Sequence, residues 1–159
     1  VRDPADAAFA AEWFKVDAEL SERMGAAFVT EGPWRERIRT SCATALAYFA
    51  EDPARARLYV VDSLFAGKNV LDARQEAIER LGAMIDAGKA ETTKLPGRPW
   101  IVAVAVAGGV WNRVQALIRE ERAAELPGEL PQLMYFIVLP YLGTEIAFEE
   151  LERPFPGSL

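Results

Sequence analysis

Histidine is missing from this chain altogether, and cysteine occurs once, in 159 residues. Without imidazole, the commonest general base, proton shuttle and zinc ligand is absent. With Cys42 alone no internal disulfide can form, and a reducing cytoplasm is the expected compartment. Positive charge is short as well: 18 lysines and arginines stand against 24 acidic residues, a net charge of −6 with a pI near 4.8. Such a balance is not that of a surface gripping a phosphate backbone, which needs a basic face. No phosphate loop, nucleophile elbow or metal-ligand spacing occurs, so no enzyme, cofactor or metal is expected. A carboxylate-only active site is the one catalytic arrangement the composition leaves open. Nothing at the start resembles a basic, apolar, small-residue leader, and because the first residue is Val1 an upstream segment is expected.

What the chain does have is 51% hydrophobic residues, enough for one domain with a substantial core. Their spacing is helical. Asp3 followed by Pro4 is a cap and first-turn pair, after which Phe9, Trp13, Val16, Leu20, Met24 and Ala27 recur at steps of three and four until Gly32-Pro33. A second helix from Trp34 to about Glu51 carries Trp34, Ile38, Cys42, Ala45 and Phe49 on one stripe. Asp52-Pro53 starts a third, through Leu58, Val61, Leu64 and Phe65 to Gly67. The fourth points Val70, Ala77, Ile78, Leu81 and Ile85 inward and ends at Gly88, read as a C-terminal cap glycine. Lys89 to Pro99 is then a loop.

The segment from Trp100 is ambiguous, because Val102, Val104 and Val106 alternate with alanines as a buried strand would. A strand, Gly108-Gly109 and a helix would begin a nucleotide-binding unit, but the three-glycine phosphate fingerprint is absent. A helix explains the continuation better, since Ala103, Val106, Val110, Val114 and Leu117 keep the helical step across the glycines. From Leu133 to Leu142 the sequence is apolar on every side, which requires cover all round. It is too short for a bilayer, which needs ~20 residues, and no stretch of the chain is expected to span one. Pro140 should kink or tighten its last turn, and Thr144 should cap a short final helix. The expected fold is therefore all-α, a bundle of about seven helices.

Among polar residues, the basic run Trp34 to Arg39 reads as the solvated side of an amphipathic helix, as do Glu145, Glu149 and Glu152. Cys42, on an apolar stripe, reads as a small core residue. Arg74 is the exception, because it falls in the middle of the fourth helix's apolar stripe, where a guanidinium cannot sit unpaired. It is either an internal ion-pair partner, with Asp17 as the expected mate, a side chain snorkelling to water, or an anchor for an acidic group on a ligand.

"AVAVAGGVWNRVQALI", a charged linker, "LPGELPQLMYFIVLPYLG" and a final helix containing Ala147 together resemble the last helices of TetR/AcrR-family transcription regulators. Pro140 to Gly143 is the most specific part, and Phe49 to Gly67 is similar to the family's middle helices. The resemblance implies a ligand-sensing regulatory domain, a homodimer through the last two long helices, and an N-terminal helix-turn-helix that meets operator DNA. No three-helix basic segment precedes Asp3, so that DNA reader is expected outside these residues. The implied pocket would be lined by the inward stripes: Trp13, Asp17 and Leu20, then Ile38, Cys42 and Phe49, then Arg74 and Ile78, with Trp111 and Asn112. The implied dimer interface would be Ala103, Val106, Val110, Val114 and Leu117 with Leu133, Ile137 and Tyr141. The function expected is that of a repressor released by a small apolar or acidic molecule, with no membrane contact. A small helical enzyme, a carrier of lipid or other hydrophobic ligands and a structural dimerisation module are the alternatives.

Overall fold

A computed structural model describes residues 3–92 and 99–157. Among these the chain is all helical, with seven α-helices and no strand: α1 (Pro4–Phe28), α2 (Trp34–Glu51), α3 (Pro53–Val60), α4 (Lys68–Asp86), α5 (Trp100–Arg119), α6 (Leu130–Leu142) and α7 (Thr144–Leu151). Three short 3-10 segments, Asp62–Phe65, Ala87–Glu91 and Ala123–Glu129, join them. The Asp-Pro starts act as their spacing suggests. Asp3 accepts the amide of Ala5 at 2.9 Å and Asp52 that of Arg55 at 3.0 Å, each satisfying an amide the helix itself cannot. Most of the loop expected from Lys89 to Pro99 lies outside the described residues; its first part is the 3-10 turn.

The helices pack largely in pairs, α1 on α2, α4 on α5 and α6 on α7, while α2 also lies along the 3-10 segment before α6. One hydrophobic core draws on all seven. It holds two aromatic centres. In one, Trp13 stacks on Tyr59 at 4.9 Å; in the other, Trp34 tilts against Tyr141 at 5.3 Å and donates its Nε1 hydrogen to the Met84 carbonyl at 2.9 Å. Gly88 belongs to the second centre. It is not a left-handed cap but a close approach, because a Cβ there would meet the Trp34 indole at 2.7 Å. Gly143, at φ +89°, is where the left-handed region is needed, and it turns α7 back onto α6.

Several expectations change once the helices pack. The third helix stops at Val60, and its buried residues are Ala56, Tyr59 and Val60, so Leu64 and Phe65 point outward, Phe65 at 88% exposure. Thr144 begins α7 without capping it. Pro140 sits within α6, which runs on to Leu142. The stripe proposed for dimerisation is internal: Ala103, Val106, Val110, Val114 and Leu117 on α5, and Leu133, Ile137 and Tyr141 on α6, are all buried inside the single chain. The core of one chain takes the apolar stripe first. What α5 and α6 leave outside is a second apolar face, with Ile101, Ala105 and Phe136 exposed. The 20-residue α5 is, by length and a mean hydropathy of 1.5, apolar enough to cross a membrane, contrary to the expectation of no such stretch.

The basic run on α2 is not a solvated surface either. Arg39 is buried, and with Arg35 and Arg153 it surrounds Glu150 of α7, whose side chain is fully buried. Arg39 Nη2 also donates to the carbonyls of Arg153 and Pro154, both at 2.8 Å, and so ties down the chain beyond α7. Removing the carboxylate strands a buried guanidinium, which is costly where the pair itself is not. Glu150→Ala is expected to lower unfolding stability by about 3 kcal/mol in urea titrations. Lys68→Ala, which breaks an exposed pair with Asp72, should change it by less than about 0.5 kcal/mol.

Candidate functional site

Where α1, α2 and α4 face one another the inward stripes are unusually small. Gly25, Cys42, Ala45 and Ala77 stand where larger side chains would close the core, and a cavity of about 330 Å³ remains between six helices. Leu20, Ser21, Met24 and Gly25 line it from α1; Cys42, Ala45, Leu46 and Phe49 from α2; Tyr59 and Val60 from α3. Ala77, Arg80, Leu81, Ala83 and Met84 come from α4, Val110, Trp111 and Val114 from α5, and Leu133 from α6. The wall is apolar, with an aromatic side made by Phe49, Tyr59 and Trp111, whose rings lie within 6 Å of Tyr59. Its size and composition are those of a small-molecule site. A second groove of about 380 Å³ lies between the start of α1 and residues 62–70, but its edges are polar and charged, with Asp6, Asp62, Lys68 and Asn69.

Polar groups enter the central cavity at one place. Arg80, with its side chain 45% exposed, donates from Nη2 to Asp17 Oδ1 at 2.6 Å and to Ser21 Oγ at 3.2 Å. Asp17 Oδ1 also accepts the Tyr59 hydroxyl at 2.7 Å. Burial first, and then the neighbouring Asp17 carboxylate, push the Tyr59 phenol well above its usual range, so it stays a donor. No carboxylate lines the cavity. Burial pushes the Cys42 thiol up to about 12, which keeps it protonated and unreactive at neutral pH. Among the described residues no grouping of histidine, cysteine and acidic side chains could hold a metal ion.

Of the residues expected in the pocket, Leu20, Cys42, Phe49 and Trp111 are on its wall. The others are not. Trp13 is sealed in the core, its Nε1 donating to the Tyr59 carbonyl at 3.0 Å, and Ile38 and Ile78 are buried away from the cavity. Asn112 is exposed on the far side of α5. Asp17 stands behind the wall as the partner of Arg80, not of Arg74. Arg74 instead reaches α5, where Nη2 donates to Gln115 Oε1 at 2.9 Å and the guanidinium lies 5.1 Å from the Trp111 ring centre. The reason is the packing of α4, which rests mainly on α5 and meets α1 on another side, where Arg80 emerges. Tyr59, Arg80 and Ser21 were the residues that sequence reasoning missed. Their signal was indirect: a shortage of side-chain volume on three facing stripes marks a cavity, and its neighbours follow only from the fold.

The chain matches no family model, no curated protein and no solved structure.

The Cys42 geometry sets a test. With its thiol raised from 9.0 to about 12, native Cys42 is expected to react with iodoacetamide at pH 8 about a thousandfold more slowly than the urea-unfolded chain, followed by mass spectrometry. A thiol raised on folding contributes stability in full below the unfolded value, here 9.0, and loses it as pH rises through about 12. Stability measured by urea titration should therefore fall between those limits, and less steeply in Cys42→Ala.

Proposed function

We propose that this chain is the ligand-sensing and dimerising domain of a TetR-like transcriptional regulator, a cytoplasmic repressor released from DNA by a small, mainly apolar molecule. The observation that carries this reading is the central cavity. It lies between α1, α2, α4 and α5, the helices the resemblance assigns to a pocket, and it is walled by apolar and aromatic side chains. The net charge of −6 supports leaving operator contact to a helix-turn-helix unit outside these residues. No cofactor is part of the proposal. In this reading the ligand works by population shift. It fills the space between α1, α2 and α4, favours one packing of those helices, and alters the separation of two DNA-reading heads in a dimer.

The dimer itself is proposed through the outward faces of α5 and α6, in place of the buried stripe. Ile101, Val104, Ala105 and Gly108 share one side of α5 at helical spacing, and a Cβ on Gly108 would meet nothing within 4 Å. Phe136 of α6 lies against Gly109, close enough that a Cβ there would clash at 2.7 Å. A flat stripe of small residues beside projecting Ile101 and Phe136 suits a two-fold, self-complementary contact. A carrier of hydrophobic molecules would use the same cavity without a DNA response.

Two measurements test the proposal. N-phenyl-1-naphthylamine, a neutral apolar probe, should quench tryptophan fluorescence through Trp111. At a hundred times its Kd it should raise Tm by about 5–10 °C, the shift worth ~2.7 kcal/mol of linkage in a domain this size. Ala45→Phe, which fills the cavity, should abolish both effects while the chain stays folded by circular dichroism. Light scattering should give twice 17.6 kDa for the wild type and a monomer for Ile101→Asp. Absence of probe binding would overturn the sensing role, and a wild-type monomer at micromolar concentration would overturn the dimer.

A further inference from the structure

The central cavity has one polar corner, and its charge is already cancelled. Arg80 is the single charged residue on the wall among the described residues, and its Nη2 is held by Asp17 at 2.6 Å and Ser21 at 3.2 Å. Asp17 is in turn fixed by the Tyr59 hydroxyl at 2.7 Å, and its side chain is only 15% exposed. This chain of contacts runs from the aromatic wall to the solvent edge, where Arg80, Ala83 and Gly25 surround the opening. A Cβ on Gly25 would meet nothing within 4 Å, so the edge beside Arg80 is open. A molecule with its apolar body in the cavity would therefore bring its polar end to Arg80. It would find N–H donors there, with a carboxylate immediately behind them.

We infer that the Tyr59, Asp17 and Arg80 chain makes this cavity select an uncharged amphipath, an alcohol or carbonyl compound with a sizeable apolar body, over a carboxylate of the same shape. The physical ground is charge balance. An alcohol or carbonyl oxygen gains a hydrogen bond from the guanidinium at little desolvation cost, whereas a second carboxylate must share a cation with Asp17 and meet its repulsion at short range. This inference rests on the reading of the cavity as a small-molecule site.

The test compares 1-decanol with decanoate at pH 7, by tryptophan quenching. Wild-type protein is expected to bind decanol at least tenfold more tightly. Asp17→Asn removes the competing carboxylate and keeps the shape, and should improve decanoate binding about tenfold while changing decanol binding less than twofold. Arg80→Met, on a partly exposed side chain, gives a second reading that does not depend on Asp17→Asn folding. It should weaken both probes, and decanoate the more, because Asp17 is then uncompensated. Equal binding of the two probes by wild type, or an unchanged ratio in Arg80→Met or folded Asp17→Asn, overturns the inference and leaves the cavity reading standing. Failure of both probes to bind wild type overturns the cavity reading with it.

Discussion

A single tyrosine on a two-turn helix holds the working half of this molecule together. Tyr59 presents three separate features to three neighbours. Its ring stacks on Trp13 of α1 and tilts against Phe49 of α2 and Trp111 of α5; its carbonyl accepts the Trp13 indole and the Ser63 hydroxyl; its phenol ends on Asp17. An eight-residue helix is too short to persist by itself. α3 is therefore placed by what Tyr59 buries, and with it the aromatic wall of the cavity and the orientation of Asp17 toward Arg80. Structure and selectivity share one residue here.

Around that anchor the bundle balances close approach against unfilled space. Gly88 and Gly109 give up a side chain so that an aromatic ring, Trp34 or Phe136, can sit directly on the helix or turn. Gly25, Cys42, Ala45 and Ala77 are small without such a ring to receive, and the result is a cavity. The same residue sizes thus produce tight packing at one level of the bundle and vacancy at another. An interior with empty apolar space forgoes dispersion contacts, and a ligand that fills it restores them.

The far end of the bundle is held differently. α7 is short and its outward residues Phe148 and Leu151 are exposed, yet it is fixed from inside by Glu150 among three arginines. The gain in such an arrangement is geometric definition more than stability, since the charges had to leave water to form it. It aligns α7 and the following tail with α2. Through α2 this end is connected to Cys42, Ala45 and Phe49 of the cavity wall, so a change in the cavity has a rigid element along which to act.

Periodicity and turn chemistry were enough to establish an all-helical chain. The Asp-Pro starts, the three-and-four spacing of Phe9 to Ala27, and the helical step through Gly108-Gly109 are local properties, set by backbone hydrogen bonding and steric limits that act within a few residues. The inward stripes of α1, α2 and α4 were legible for the same reason, and with them Leu20, Cys42 and Phe49 of the wall. Partner choice was not. Arg74 and Arg80 lie on one helix, and which of them meets Asp17 depends on the side of α4 that α1 covers. Arg39 and Glu150 looked like surface charges until α7 folded onto α2. The buried stripe of α5 and α6 looked like an interface until the chain's own core took it. Sequence by itself determined where helices form and which stripe of each is apolar; only the tertiary structure decided what each stripe faces, because side-chain partners across helices are chosen by packing of the whole bundle.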